Sequence, residues 1–208
     1  MSYNTSKESI TIAITGASGI QYGVRLLEQV LKSGCKVHFM ISSAAHVVAK
    51  IETEWDIPSH TDKIQAYFSD LFQTNPALLQ VYSKEQWTAS IASGSNVPRA
   101  MVICPCTSAT LAAISAGLSD NLIERAADVI LKEKKRLILV TRETPLSGIH
   151  LQNMLNLHQA GATIMPASPG FYYKPEQIED LITFMVARIL DHLAISHQLL
   201  PRWGEDNE

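Results

Sequence analysis

An apolar strand that runs straight into a glycine-bracketed turn and then a helix limits this chain more than any other feature. The segment is Ile10 to Gly23, ITIAITGASGIQYG. Ile10, Ile12 and Ile14 with Ala13 make a nearly continuous apolar run, the pattern of a parallel strand buried on both faces. The run ends at Thr15. Gly16 and Gly19 flank Ala17 and Ser18, so the backbone turns sharply and offers free N–H groups to an anion, with the positive end of the next helix behind them. Two readings of this turn stand side by side: a phosphate cradle, or a corner that the glycines turn while Ser18 caps the helix. A helix-end dipole contributes roughly 0.3–1 kcal/mol, too little to define a site without other residues. The spacing is G-x-x-G, and the second strand, from Lys36 to Ser43, ends in Ile-Ser-Ser where a nicotinamide-binding fold places an acid for the ribose. A single phosphate, as on a mononucleotide, therefore suits the turn better than a dinucleotide.

The alternation of strand and helix continues along the chain. Ile20, Val24, Leu27 and Leu31 recur at helical spacing up to Gly34, which stands where a helix C-terminal glycine belongs. Lys36 to Ile41 forms the core of a strand, and Ser43 to Ile51 a helix with Glu52 near its end. From Glu54 to Ser95 the periodicity weakens, and helices and loops laid over the sheet edge are expected. Ala100 to Cys104 is a buried strand that Pro105 stops, before Thr107, Ser108 and Thr110 open a helix through Ala116. Leu122 to Lys134 is a helix, Arg136 to Thr141 a strand, Ile149 to Gln159 a helix and Ala162 to Met165 the last strand. Pro169 to Pro175 is a rigid loop, with Pro175 in the first turn of a final helix through about Ile195. The pattern predicts an α/β fold, a three-layer doubly wound parallel sheet of Rossmann-like type, with ligands beyond the carboxyl ends of the strands.

With 208 residues and 46% of them hydrophobic, the chain can bury one full core. The expected organisation is a flexible tip at 1–9 and a single domain over 10–208 with a C-terminal helix and tail. A net charge of −3 without a basic patch argues against nucleic acid, and no apolar run reaches membrane-spanning length. The polar N-terminal residues lack a signal peptide's apolar core, so a cytoplasmic location is expected. Cys35, Cys104 and Cys106 fit neither a disulfide framework nor a zinc or redox motif, and buried small side chains are the expected role. The histidines show no metal-ligand spacing, and no metal site is expected; His192 reads as a satisfied core histidine on the last helix.

Several charged residues sit where a solvent face does not require them. Arg125 and Lys132 are seven apart and share nearly one azimuth beside the stripe of Leu122, Ala126 and Val129. They can clamp one anion, or form a solvated helix shoulder. On the final helix Ile178, Leu181, Ile182, Met185 and Ile189 define the buried face, with Arg188 at its edge, either paired or snorkelling to water. Glu52 and Glu143 follow elements that end at the carboxyl edge of the sheet, where they either face a site or are merely solvated.

Taken together, these residues resemble those of the UbiX-type flavin prenyltransferases, members of the flavoprotein superfamily that includes phosphopantothenoylcysteine decarboxylase. The likeness covers nearly the whole chain and rests on TGASGIQYG from Thr15, the SGS loop at Ser93, CPCTSATLAAISAG from Cys104, NLIERAADVILKE from Asn121, TRETPLSGIHLQNM from Thr141, PASPGFYYKP from Pro166 and PRWG from Pro201. Thr141 departs from the proline that often precedes the Arg-Glu pair in relatives, and Arg142 and Glu143 stay in place.

The resemblance implies a Rossmann-like flavoprotein fold in which Gly16, Ala17, Ser18, Ser42, Thr107, Ser108, Ala109, Thr110 and Arg142 bind FMN. It implies that Ser93, Gly94, Arg125, Lys132, Tyr172 and Arg188 hold the phosphate of dimethylallyl monophosphate. The implied reaction joins the dimethylallyl group to N5 and C6 of reduced FMN and releases phosphate without a metal, the cations stabilising the departing charge. Glu143 is then the candidate acid for that phosphate, Ser18 and Glu52 a proton relay at N5, and Trp87 a shield for the allyl cation. Lys132 counts among both the catalytic and the substrate-binding groups. The product, prenylated FMN, would pass to a partner decarboxylase of ubiquinone biosynthesis or a related pathway. Relatives form dodecamers of trimers with sites at subunit junctions, and the same is expected here. The rival readings are an FMN-dependent decarboxylase of cysteine conjugates, against which the cation cluster argues, and a non-catalytic flavin carrier.

Overall fold

The computed structural model describes residues 9–201. The first strand, β1 (Ser9–Ile14), is buried along its whole length. Ile10, Ile12 and Ile14 point into one core, and Ala13 points into a second on the opposite face, as the two-residue period of a strand requires. The helix that follows, α1 (Ile20–Lys32), begins at Gly19, whose φ of 95° is open to glycine at little cost. Gly23 lets α1 approach the sheet closely: a Cβ there would stand 2.1 Å from the Cys104 carbonyl oxygen.

Strand β2 (Lys36–Ile41) pairs with β1 in parallel, and α2 (Ser43–Glu52) starts at Ser42, whose hydroxyl accepts the Ala45 N–H at 3.1 Å. The stretch expected to be only helices and loops contains α3 (Thr61–Phe72) and also a strand, β3 (Leu79–Val81), at the sheet edge. Three residues are too few for a periodic signal, so sequence pattern misses this strand. Strand β4 (Ala100–Cys106) runs through Pro105 instead of stopping there. The ladder to β5 (Arg136–Thr141) is irregular between Ile103 and Cys106 and resumes at the Cys106–Thr141 pair. The remaining elements are α4 (Ser108–Ser115), α5 (Leu122–Lys132), α6 (Gly148–Gln159), β6 (Thr163–Ile164) and α7 (Ile178–His192). Pro175 precedes α7 instead of opening it: the Asp180 carboxylate accepts the N–H groups of Glu176 and Gln177 and sets the helix start after them. Ile178, expected on the buried face, is 70% exposed.

All pairings are parallel, in the order β3-β2-β1-β4-β5-β6. Chain direction across the sheet reverses between β1 and β4, and there a doubly wound fold opens a crevice at its carboxyl edge. One core joins β1, β2 and β4 to α1, α3 and α7; the other joins the opposite strand faces to α4, α5 and α6. Cys104 and Cys106 are buried, and burial raises both thiols, Cys106 to about 12, so they fill space and do not act as nucleophiles. His192 is only partly buried near the end of α7, where its carbonyl accepts from Arg136, and it lies outside both cores.

His38 of β2 is the buried histidine. It stacks on Tyr82 at 5.7 Å between ring centroids, and its Nδ1 lies 3.2 Å from the Tyr82 hydroxyl. Burial, reinforced by Lys36, lowers its pKa to about 4. The unfolded chain binds this proton from about pH 6.5 downward. The neutral ring therefore contributes stability that is complete above that value and falls away as the pH drops toward 4. Unfolding free energy should fall by about 1 kcal/mol between about pH 7 and about pH 5.5 on account of His38 alone. Denaturant melts of the parent and of His38→Asn measure it, and the variant should show the flatter profile.

Candidate active site

The carboxyl ends of β1 and β4 are tied together by Thr15. Its hydroxyl donates to the Pro105 carbonyl at 2.8 Å and accepts the Thr107 N–H at 2.9 Å, and its own N–H donates to Pro105 at 3.1 Å. This clamp sets the glycine turn beside the start of α4. Thr15 was not singled out by sequence; a threonine closing a buried strand beside two helix-opening turns is the signal that identifies it.

Within the glycine turn, Ala17 N–H donates to the Thr15 carbonyl at 3.0 Å and Gly19 N–H to Glu52 Oε2 at 2.8 Å. The N–H groups of Gly16 and Ser18 make no hydrogen bond with the described residues, and neither does the Ser18 hydroxyl. Ser18 therefore does not cap α1, whose N-cap is Gly19 without a side-chain bond. Gly16 is pressed against the start of α2: a Cβ there would lie 2.4 Å from the Ala44 Cβ. The open donors near the positive end of α1 include the N–H groups of Gly16 and Ser18, with the carboxylate of Glu52 at their side.

Across the Thr15 clamp, Thr107 caps α4, accepting the Thr110 N–H at 3.1 Å and donating to Thr110 Oγ1 at 2.9 Å. Ser108 donates to Glu143 Oε2 at 2.8 Å, and Ala109 lies exposed on the first turn. This bond, aided by the Thr144 N–H at 3.2 Å, holds the Glu143 carboxyl below its ordinary range, so the ligand-free chain carries it as a carboxylate. Arg142 beside it is exposed and makes no hydrogen bond or ion pair with the described residues. The open amides of Gly16 and Ser18, the Ser18, Ser42 and Thr110 hydroxyls and the exposed Arg142 guanidinium at one sheet edge form an anion-accepting donor set, and they suit a phosphate-bearing flavin.

Arg125 and Lys132 of α5 both reach the 92–94 segment. Arg125 Nε donates to the Ala92 carbonyl at 3.1 Å, with Nη1 on Asp128 at 2.7 Å. Lys132 Nζ sits 2.9 Å from where a Gly94 Cβ would be and pairs with Glu133 at 2.5 Å. Ser93 bonds Ser95 across this turn at 3.1 Å. The segment is braced from below by a chain that sequence did not reveal, His38 to Tyr82 to Ser90, the second contact also 3.2 Å. Trp87 lies 50% exposed in the preceding loop, whose Lys84 carbonyl accepts the Leu122 N–H at the start of α5.

Arg188 and Tyr172 lie elsewhere. Arg188 projects from α7, 53% exposed and paired with Asp191 at 2.8 Å, and Tyr172 is 74% exposed. Both line an open cleft of about 1040 Å³ together with Phe184, Asp191 and His197. Since α7 packs on α1 in one layer and α5 belongs to the opposite layer, one chain does not bring Arg188 to Arg125 and Lys132. The expected single clamp of three cations is thus not assembled within one chain: Arg188 stands on one face of the sheet, Arg125 and Lys132 on the other. The Pro201-Arg-Trp-Gly204 tail lies outside the described residues from 202 onward, as does the N-terminal tip over 1–8.

Among the described residues no three His, Cys, Asp or Glu side chains gather to hold a metal ion, and no helix is long and apolar enough to cross a membrane. Comparison with known proteins matches residues 1–190 to the flavoprotein family. Flavin prenyltransferase UbiX of Pseudomonas aeruginosa is 50% identical over 200 residues, covering 96% of each chain. A crystal structure of AnUbiX (PadA1) in complex with FMN and dimethylallyl pyrophosphate superposes with a TM-score of 0.84 at 39% identity, over 95% of this chain and 98% of that one. A dodecameric FMN-dependent UbiX-like decarboxylase from Escherichia coli O157:H7 superposes with a TM-score of 0.82 at 36% identity, over 94% and 98%.

Proposed function

Because this chain belongs to the flavoprotein family, and within it to the UbiX-type flavin prenyltransferases, we propose that it joins the dimethylallyl group of dimethylallyl monophosphate to N5 and C6 of reduced FMN and releases phosphate. The observation that carries this reading is the approach of Arg125 and Lys132 to the Ser93–Gly94 turn. Lys132 ends α5 four residues before β5 begins, toward the amino edge of the sheet, so on this reading the cations meet the anion-accepting turns around Thr15 between neighbouring copies. Reduced FMN, when bound, supplies the nucleophilic nitrogen and carbon.

The chain's residues then have separate tasks. Gly16, Ala17, Ser18, Ser42, Thr107 to Thr110 and Arg142 bind and orient the flavin. Arg125 and Lys132 take up negative charge as the allylic C–O bond breaks with its electron pair leaving on phosphate, the part magnesium has in other prenyl transfer. Their present carboxylate partners are solvent-exposed pairs worth under about 1 kcal/mol, which a phosphate dianion readily displaces. Glu143 delivers a proton to the departing phosphate. Held as a carboxylate in the free chain, it gains that proton only when a bound phosphate anion nearby raises its pKa. Ser18 and Glu52 receive a proton at the flavin edge, and the Trp87 ring face covers the allyl cation.

Arg188 and Tyr172 complete the phosphate subsite from a neighbouring copy. Exposed apolar side chains support an assembly that buries them: Ile149, Leu151 and Leu155 on α6 are 73%, 53% and 48% exposed, and Val47 and Ile51 on α2 are 59% and 77% exposed. We take the assembly to be a homododecamer acting in the cytoplasm, with prenylated FMN passing to a decarboxylase of ubiquinone biosynthesis or a related pathway.

Anaerobic incubation with reduced FMN and dimethylallyl monophosphate, followed by mass spectrometry of the released flavin, tests the reaction. A gain of one five-carbon prenyl unit with stoichiometric phosphate is expected. An unchanged flavin mass would reject prenyl transfer and leave a carrier or a decarboxylase of thiol-bearing substrates.

A further inference from the structure

Arg188 is half-exposed on a long side chain, yet the structure does not leave its direction to chance. One turn further along α7, the two oxygens of Asp191 hold different donors. Oδ2 takes Arg188 Nη1 at 2.8 Å, and Oδ1 lies 3.2 Å from His197 Nε2. The Leu199 N–H donates to His197 Nδ1 at 3.3 Å, so Nδ1 is the acceptor and the ring proton sits on Nε2, facing Asp191. His197 is itself fixed. Ala194, with φ of 54°, turns the chain back at the end of α7, buried Ile195 anchors the return, and the His197 side chain is only 13% exposed. Backbone N–H, imidazole, carboxylate and guanidinium thus form one chain of bonds that ends in the cleft shared with Tyr172.

We propose that Asp191, held by His197, is a positioning residue that aims the Arg188 guanidinium at the substrate phosphate. The inference rests on the reading above that Arg188 binds that phosphate. A guanidinium fixed before the ligand arrives loses less freedom on binding, and a planar donor fork rewards correct orientation more than a point charge does. Asp191 thereby acts against simple charge counting: its carboxylate partly neutralises Arg188, yet its removal should weaken phosphate binding.

The test uses the full-length assembled protein. Calorimetric titration with inorganic phosphate and steady-state turnover of dimethylallyl monophosphate with reduced FMN are compared for the parent, Asp191→Ala, His197→Ala, His197→Gln and Arg188→Ala. Asp191→Ala and His197→Ala should each raise the phosphate dissociation constant and KM about tenfold, leaving FMN affinity and kcat nearly unchanged. His197→Gln, whose amide can still donate to Asp191, should recover most of the loss, which separates positioning from general damage to the fold. Phosphate binding that is unchanged or tighter in Asp191→Ala, while Arg188→Ala weakens it, overturns the positioning role alone. Unchanged binding in Arg188→Ala overturns the assignment of Arg188 on which the inference rests.

Discussion

Replacing Lys132 or Arg188 by alanine should lower kcat/KM for dimethylallyl monophosphate by about 10²–10³-fold, the cost of removing one fixed charge-stabilising donor from a reacting centre, while FMN still binds. Neither residue belongs to the turns around Thr15, so flavin fluorescence quenching should report unaltered affinity. A carrier protein would tolerate both changes. The two variants also test where the halves of the phosphate subsite meet. Lys132 stands on α5 and Arg188 on α7, in opposite layers of one chain, so the subsite proposed above draws them from different copies. Co-expressing Lys132→Ala and Arg188→Ala chains in equal amounts should then restore activity at about a quarter of the sites, those that combine an intact Lys132 from one copy with an intact Arg188 from another. Recovery near zero would mean that both residues serve one site from the same chain, contrary to the layer assignment.

The second large effect concerns the proton for the leaving phosphate. Glu143→Gln should reduce turnover by about 10²–10⁴-fold, the usual contribution of a positioned acid or base, with substrate and flavin affinities little changed. Ser108→Ala gives the sign. The serine hydroxyl donates to the carboxylate and lowers its pKa, so its loss raises that pKa and keeps the acid protonated to higher pH. If the protonated form is the competent one, the alkaline limb of the kcat profile should move upward in Ser108→Ala and be absent from Glu143→Gln. A limb that moves downward, or one that Glu143→Gln retains, would assign the proton to another group.

Much of the fold was legible because it is written in local pattern. The isoleucines of β1, the glycine at the end of α1 and the hydroxyl cap of α4 each follow from the geometry of a single element. Departures arose where a neighbour decides. Pro105 remains within β4 because the strand is bracketed by Thr15 and by the resumed ladder at Thr141. Ser18 does not cap α1 because the left-handed Gly19 is itself the N-cap, which leaves Ser18 one residue outside the helix. Glu52, Glu143, Arg125 and Lys132 were picked out as residues out of keeping with a solvent face, and Ser108 and Gly94 as site residues, but not which of them would meet. The Ser108–Glu143 bond and the His38–Tyr82–Ser90 brace join positions dozens of residues or more apart, or cross a loop without periodicity.

From its sequence alone this protein was bound to a doubly wound parallel sheet with an anion-accepting first turn and to a family of flavin enzymes, since hydrophobic period, turn residues and motif order are properties of the chain itself. Which layer each helix occupies was settled only by tertiary structure. Periodicity orients a helix about its own axis, but its side of the sheet depends on strand order and crossover hand, and these are set by long-range pairing. That is why Arg125, Lys132 and Arg188 read as one clamp along the sequence and stand on opposite faces of the sheet in the folded chain.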